Sequence, residues 1–193
     1  MKSGNRILSI DIMRGLTLLL MLFVNDLNMR VVPSWLGHMP ADHDGMGLAD
    51  WVFPGFLFIV GMAIPFAISG RIKKGETVVK ILLHIAIRTL SLLIIGVLML
   101  NSGRVNPETT GIHKDLWALL MYVSLFLVWN DYPAGRGRLL FTFLKTAGVA
   151  ALIFLVIIFR SGSTENPGWM ITGWWGILGL IGWGYLAASL IWL

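Results

Sequence analysis

Cysteine is absent from the chain, and charged residues make up only 13% of its 193 positions. Without cysteine, the sequence can form neither a disulfide framework nor a thiolate metal site. Soluble domains contain about 25% charged residues on average, so the shortage of charge is pronounced. A soluble fold of this size could not bury the hydrophobic residues, which make up 56% of the chain. The composition therefore excludes an ordinary soluble domain.

The hydrophobic residues are gathered into six segments. These segments meet or approach the roughly 20 residues that a helix needs to cross a bilayer. We therefore predict an all-α fold, a polytopic transmembrane helix bundle with six spanning helices in a single domain over residues 1–193. The predicted helices lie near residues 7–27, 49–69, 78–101, 114–130, 138–160 and 169–193. The last apolar run continues to Leu193 without a polar anchor, so we expect the chain to be truncated at its C-terminal end.

The basic residues lie mainly in the loops between these segments, despite a net charge of +5 that could suggest nucleic acid. Membrane orientation explains this placement better than nucleic-acid binding. Loops on one side carry eight basic residues: Lys2, Arg6, Arg71, Lys73, Lys74, Lys80, Arg136 and Arg138. Loops on the other side carry four: Arg30, Arg104, Lys114 and Arg160. Since cytoplasmic loops are enriched in lysine and arginine, both chain ends are predicted to be cytoplasmic.

The connection between the first two predicted helices is unusually polar. It contains two histidines and four acids: His38, His43, Asp26, Asp42, Asp44 and Asp50. Imidazole and carboxylate groups suit zinc or manganese, but their spacing matches no standard motif, and no metal site is predicted. Alternatively, one histidine acts as a general base that a neighbouring carboxylate orients, or both histidines are simply solvated. This loop is therefore the default functional site.

Charged residues also occur in pairs within the predicted helices, toward the opposite side of the membrane. Asp11 and Arg14 are three residues apart and share a helical face. His84 and Arg88 are four residues apart and share another. Either these pairs stabilise the bundle, or they line a cavity for an anionic ligand. The strictly apolar run of the first helix is short, so the helix can span the bilayer only by carrying Asp11 and Arg14 inward.

Glycine and proline predict two local features. Pro54 and Gly55 are expected to interrupt the second helix close to the aromatic belt, where irregular backbone must be buried in protein or line a wet cavity. The last helix carries a stripe of small residues that would leave a groove for close helix contact: Gly173, Gly176, Gly179 and Gly182. Packing is the simpler interpretation of this stripe.

Two stretches of sequence carry a family resemblance. The first, Arg6 to Leu16, contains a Ser-x-Asp-x-x-Arg-Gly pattern and leads into Val24-Asn25. The second, within 44–58, reads Gly-x-x-x-Ala-Asp-x-x-Phe-Pro-x-Phe-x-Phe. In this order, with a histidine-containing loop between them, they resemble the heparan-α-glucosaminide N-acetyltransferase family of transmembrane acyltransferases, specifically its bacterial members. Farther along, Lys114-Asp115-Leu116-Trp117 stands where the family usually shows Leu-Gln-Arg.

The resemblance implies transfer of an acetyl group from cytoplasmic acetyl-CoA, a co-substrate, to an amino sugar or glycan on the outer side of a bacterial inner membrane. The family's catalytic histidine lies in the first outer loop, and its partner asparagine ends the first helix. Asn25 matches the asparagine, and His38 is preferred over His43 for the histidine. The family's members are also longer than this chain.

The remaining polar residues are assigned to binding. Asp11, Arg14 and Arg88 are predicted to bind the acyl donor, while Asp44 and Asp50 are predicted to bind the acceptor. Two other classes of function stay open: a transporter or channel subunit with a polar pathway between the first two helices, and a structural subunit that needs a partner. Homo-oligomerisation is compatible with all three. Binding of CoA would distinguish the acetyltransferase from the transporter.

Overall fold

The computed structural model describes residues 7–28, 31–40, 42–133 and 137–193. Four basic residues that entered the orientation argument lie outside these ranges: Lys2, Arg6, Arg30 and Arg136. Within the described ranges the chain forms seven α-helices and one two-stranded antiparallel ribbon. The helices are α1 (Leu8–Asn25), α2 (Leu48–Lys73), α3 (Val78–Ser102), α4 (Pro107–Thr110), α5 (Lys114–Trp129), α6 (Arg138–Ile158) and α7 (Ile177–Trp192). The ribbon pairs β1 (Ser161–Gly162) with β2 (Pro167–Gly168), and a short 3-10 turn covers Ser34–Leu36.

The prediction of an all-α fold is confirmed, whereas the predicted six spans are not. Four of the described helices are long and apolar enough to cross a membrane: α1, α2, α3 and α6. Helices α5 and α7 have 16 residues each, which is shorter than the roughly 20 residues that a span needs. Helix α7 begins at Ile177 rather than near residue 169, because the preceding segment forms β2 and then turns at Gly173 with a positive φ of 44°.

The predicted interruption of the second helix at Pro54 and Gly55 is wrong, because α2 runs without a break through both Pro54 and Pro65. Each proline removes one backbone hydrogen bond from a helix. Val52, two residues before Pro54, packs with Val24 of α1, and Ile59, five residues after it, is also buried. Packing has therefore overridden the local tendency of proline to end the helix.

The chain divides into two compact units, of which the first comprises Met1–Thr89 and Trp183–Leu193. In this unit the end of α1 packs against the start of α2 through a cluster of Val24, Ala49 and Val52. A second cluster joins α2, α3 and α7 and consists of Ile64, Ile68, Ile81, Ile85 and Tyr185. The unit contains all the residues predicted to act in catalysis or binding.

The second unit comprises Leu90–Gly182. Its core surrounds Trp117, which is fully buried and whose indole N–H donates to the Leu155 carbonyl at 3.1 Å. The predicted close helix contact is present between α3 and α7, but the glycine that permits it is Gly96, where an added Cβ would lie 3.2 Å from the Leu178 Cβ. Gly179 of the predicted stripe instead accommodates the carbonyl of Trp174, which precedes α7.

Candidate functional site

The polar loop is positioned by the packing of α1 against α2. Val24 and Ala49 are 4% and 5% exposed, and they meet where α1 ends and α2 begins. The next residue after each of them, Asn25 and Asp50, therefore lies at the same end of this helix pair. The described part of the connecting loop leaves and returns at this end, which explains why a loop histidine reaches the first turn of α2.

Asp50 is the centre of the loop's hydrogen bonds. Its Oδ1 lies 2.6 Å from His38 Nδ1. Its Oδ2 accepts from the backbone N–H groups of Met39 and Gly47, both at 3.0 Å. Asp50 lies in the first turn of α2, where the unpaired backbone N–H groups and the helix dipole stabilise a carboxylate. One carboxylate thus joins the helix start to both sides of the loop.

This geometry fixes the role of each His38 nitrogen. An ionised carboxylate only accepts hydrogen bonds, so the Nδ1–H group of His38 donates the hydrogen bond to Asp50. In the neutral imidazole, Nε2 then has the lone pair. The His38 side chain is 68% exposed, whereas that of Asp50 is only 25% exposed. The structure therefore presents an oriented imidazole whose outer nitrogen can accept a proton or attack an acyl carbon.

The loop can pass this close to α2 only because residue 47 is glycine. A Cβ added to Gly47 would overlap the carbonyl oxygen of Gly37, the residue before His38. Gly37 and Gly47 are both buried. The 3-10 turn at Ser34–Leu36 ends directly before Gly37. The close contact between Gly37 and Gly47 therefore places this turn, and His38 after it, next to the start of α2.

Substitution of Gly47 with alanine is expected to displace the Gly37–His38 segment. Overpacking of this kind costs about 1–3 kcal/mol, and a misplacement of about 1 Å at a reactive group can lower a rate about a hundredfold. We expect a lower thermal unfolding temperature and at least a tenfold loss of the activity proposed below. Gly61→Ala, within the helix that Gly47 precedes, is the control, since nothing lies within 4 Å of its added Cβ. Equal behaviour of the two variants would contradict the close approach.

Asn25 is the last residue of α1 and is exposed. No hydrogen bond joins it to His38 in the part of the chain that the structure describes. The two residues share one end of the α1–α2 pair, but their action as a catalytic pair stays a prediction.

His43 differs from His38 in its surroundings. Its ring lies against Gly45, where an added Cβ would be 3.1 Å from His43 Cδ2. Within the described residues no carboxylate pairs with it, and the neighbouring Asp42 and Asp44 are exposed. No group of three or more histidine and acidic side chains is arranged to hold a metal ion among the residues the structure describes. The contacts therefore favour His38 as the oriented imidazole, while roles for His43 and Asp44 stay predictions.

The predicted donor-binding residues separate into two places. Asp11 and Arg14 form an ion pair at 3.1 Å and line a cavity of about 350 Å³ between α1 and α2. Its other walls are apolar and consist of Ile7, Ile10, Ala63, Phe66 and Ala67. Arg88 is not part of this lining, because its guanidinium lies over the Tyr185 ring, 4.9 Å from the centroid. Asp11 and Arg14 therefore line a cavity in which a donor could be bound, whereas Arg88 lies apart from it, against Tyr185.

Two features of the site were not predicted from the sequence. The first is the His38–Asp50 pair, since Asp50 was assigned to the acceptor. The spacing Gly47-x-x-Asp50 carried a signal for part of it, because a carboxylate three residues after a helix cap often bonds back to the cap's N–H. The second is an ion pair between Arg71 and Glu76 at the end of α2, which also contacts His84.

The chain is similar to a protein family and to two N-acetyltransferases. The model of a family described as a domain of unknown function, DUF5009, matches residues 6–193. Heparan-alpha-glucosaminide N-acetyltransferase of Mus musculus is 35% identical over 99 residues, or 51% of this chain and 14% of the relative. The Homo sapiens protein of that name is 34% identical over 96 residues, or 50% of this chain and 14% of the relative. The match thus spans a small part of each relative's length. No solved structure matches the chain.

Proposed function

Since the chain belongs to the DUF5009 family, we propose that it is a membrane acetyltransferase that moves an acetyl group from acetyl-CoA to an amino sugar or glycan. Its similarity to two proteins named as N-acetyltransferases supports a transferase. The same similarity favours an enzyme over the transporter and structural-subunit alternatives. Four helices long enough to span a bilayer support its placement in a membrane.

The observation that carries the proposal is the 2.6 Å contact between His38 Nδ1 and Asp50 Oδ1. Acetyl transfer to an amine needs a group that removes a proton from the attacking nitrogen. An imidazole held by a carboxylate through one nitrogen offers the other nitrogen for that purpose. In the described loop this arrangement occurs at an exposed side chain next to the motif that carries the resemblance.

The reaction can be written with the residues in place. His38 Nε2 accepts a proton from the acceptor amine as the amine nitrogen attacks the thioester carbon. The new C–N bond forms, the C–S bond breaks, and His38 returns the proton to the CoA thiolate. The products are an N-acetyl group and free CoA. Asp50 stabilises the imidazolium during the transfer, and the Asn25 amide is proposed to donate to the oxygen that becomes negative. Attack by Nε2 itself, through an acetyl-imidazole, stays open as the alternative.

The α1–α2 cavity is proposed to hold part of the donor. Asp11 and Asn25 lie near opposite ends of α1, on the order of 20 Å apart at about 1.5 Å per residue. A donor bound beside Asp11 and Arg14 must therefore extend along the helix pair to reach His38, which the long flexible arm of CoA can do. We propose that the Asp11 end is cytoplasmic, with both chain ends on that side of a bacterial inner membrane, and that the His38 end faces outward.

The direct test is acetyl transfer in proteoliposomes that contain the chain. Labelled acetyl-CoA is supplied on one side of the vesicle membrane and glucosamine on the other, and labelled N-acetylglucosamine is counted on the glucosamine side. We expect product only when the protein is present. Transport of glucosamine without acetylation would support the transporter alternative instead. Failure to form product in either orientation of the two substrates would refute the proposed acetyl transfer to an amino sugar.

A further inference from the structure

A polar cluster lies where α2 ends and α3 begins, at the opposite end of α2 from Asp50. Arg71 is its central residue. One of its N–H groups, on Nη1, donates to Glu76 Oε2 at 2.7 Å, and another, on Nη2, lies 3.0 Å from His84 Nε2. The Arg71 and Glu76 side chains are 32% and 28% exposed, so the ion pair is partly shielded.

The contact with Arg71 determines the tautomer of His84. A guanidinium carries only donors, so Nε2 must accept and the imidazole proton must sit on Nδ1. The Nδ1–H group of His84 is therefore a donor. No residue in the described part of the chain accepts a hydrogen bond from it.

Arg88 adds a second guanidinium one turn farther along α3. The face of its guanidinium is held by the Tyr185 ring at 4.9 Å, and Tyr185 is only 8% exposed. A cation over an aromatic face is attracted to the ring and fixed in orientation. The N–H groups on the edge of the Arg88 guanidinium have no acceptor among the described residues. The arginine is thus held by its face and left with unused donors.

The cluster has more donors than acceptors. Its one carboxylate, that of Glu76, is paired with Arg71. The edge of the Arg88 guanidinium and the His84 Nδ1–H remain as further donors. The nearby lysines raise the local positive charge further: Lys73, Lys74 and Lys80. We propose that Arg71, His84 and Arg88 form a binding site for a phosphate group. A phosphate offers several strong acceptor oxygens, and the guanidinium fork matches their geometry.

Two sources of phosphate fit this position. The cluster lies at the end of a long apolar helix, where the headgroups of anionic lipids would lie. It is also one turn from Ala67, which lines the α1–α2 cavity, so a soluble phosphate ester such as CoA could reach it. Both present the same chemistry. The site requires neither His38 nor turnover, so it can be tested independently of the proposed acetyl transfer.

Binding would be measured on the purified chain in non-ionic detergent. One arm titrates phosphatidylglycerol, with phosphatidylcholine as the zwitterionic reference, and counts lipid adducts by native mass spectrometry. The other arm titrates CoA and 3′,5′-ADP by calorimetry. We expect specific binding in at least one arm, and the arm that responds identifies the source. Absence of specific binding in both arms would overturn the proposal.

The variants separate a built site from general positive charge. Arg88→Gln should weaken binding about ten- to a hundredfold, as expected for loss of hydrogen bonds to a charged group. Arg88→Lys keeps the charge but not the fork, and should also weaken binding while preserving the fold. Lys74→Gln removes the same charge from an exposed residue in the α2–α3 connection and should change the affinity less than about threefold. Equal losses in Arg88→Gln and Lys74→Gln would show that net charge alone attracts phosphate.

Discussion

Replacement of His38 with alanine is expected to lower acetyl transfer by about two to four orders of magnitude, the usual contribution of a general base. The side chain is 68% exposed, so its removal opens no buried cavity, and thermal unfolding should stay close to that of the parent. The measurement is the initial rate of labelled product formation in proteoliposomes, alongside an unfolding curve for each preparation. A large loss of rate with a normal unfolding curve would identify chemistry rather than folding.

The chain offers a matched control for this substitution. His113 is also exposed and also lies next to a carboxylate, with its Nδ1 3.3 Å from Asp115 Oδ2, but it belongs to the second unit. His113→Ala should therefore keep nearly full activity. His43→Ala should be milder than His38→Ala, because within the described residues His43 has no carboxylate to orient it. An inactive His43→Ala beside a working His38→Ala would reverse the assignment, and full activity in both would remove histidine catalysis.

Substitution of Asp50 with asparagine is expected to lower kcat by about a hundredfold to ten-thousandfold. The amide keeps the size of the side chain but loses the negative charge that stabilises the imidazolium. It also cannot accept from His38, Met39 and Gly47 as both carboxylate oxygens do. The imidazole is then free to adopt the wrong tautomer. The KM for acetyl-CoA should change little, because the α1–α2 cavity lies toward the other end of α1.

The split between kcat and KM distinguishes an orienting role from the acceptor-binding role predicted from the sequence. If Asp50 binds the acceptor, Asp50→Asn should mainly raise the KM for the amino sugar. Asp50→Glu, which keeps the charge, should recover part of the lost rate. Asp115→Asn removes the carboxylate of the other histidine–aspartate pair and serves as the control. An Asp50→Asn protein with the parental kcat would exclude the orienting role.

The helices were predictable because the sequence places long apolar runs between short polar loops, and a backbone in lipid must satisfy its own hydrogen bonds. The start of α7 was not predictable from hydropathy. Trp169, Trp174 and Trp175 belong to the hydrophobic residues of the chain, yet they lie in the segment before Ile177 that turns at Gly173. A loop rich in tryptophan resembles the end of an apolar helix in composition and differs from it in backbone conformation.

The site was predictable as a set of residue types but not as a set of contacts. His38 and Asp50 are twelve residues apart. Their contact depends on the path of an irregular loop, which no sequence periodicity predicts. Spacing was similarly incomplete for His84 and Arg88. They share a helical face, but their partners, Arg71 and Tyr185, come from other helices. Local spacing indicates which side chains are neighbours on a helix, whereas packing decides which ones interact.

The shortness of the sequence span around Asp50 has a consequence for the order in which the protein assembles. Asp50 contacts His38, Met39 and Gly47, which are at most 12 residues away in the sequence. The loop-closure entropy of these contacts is therefore small. Contacts that are local in sequence form faster than those between distant segments. The histidine–aspartate pair is therefore expected to form as soon as α1 and α2 associate, before α7 packs onto Ile81 and Ile85. Substitution of Tyr185, through which α7 joins that cluster, should accordingly shorten the lifetime of the folded protein more than it alters the geometry at His38.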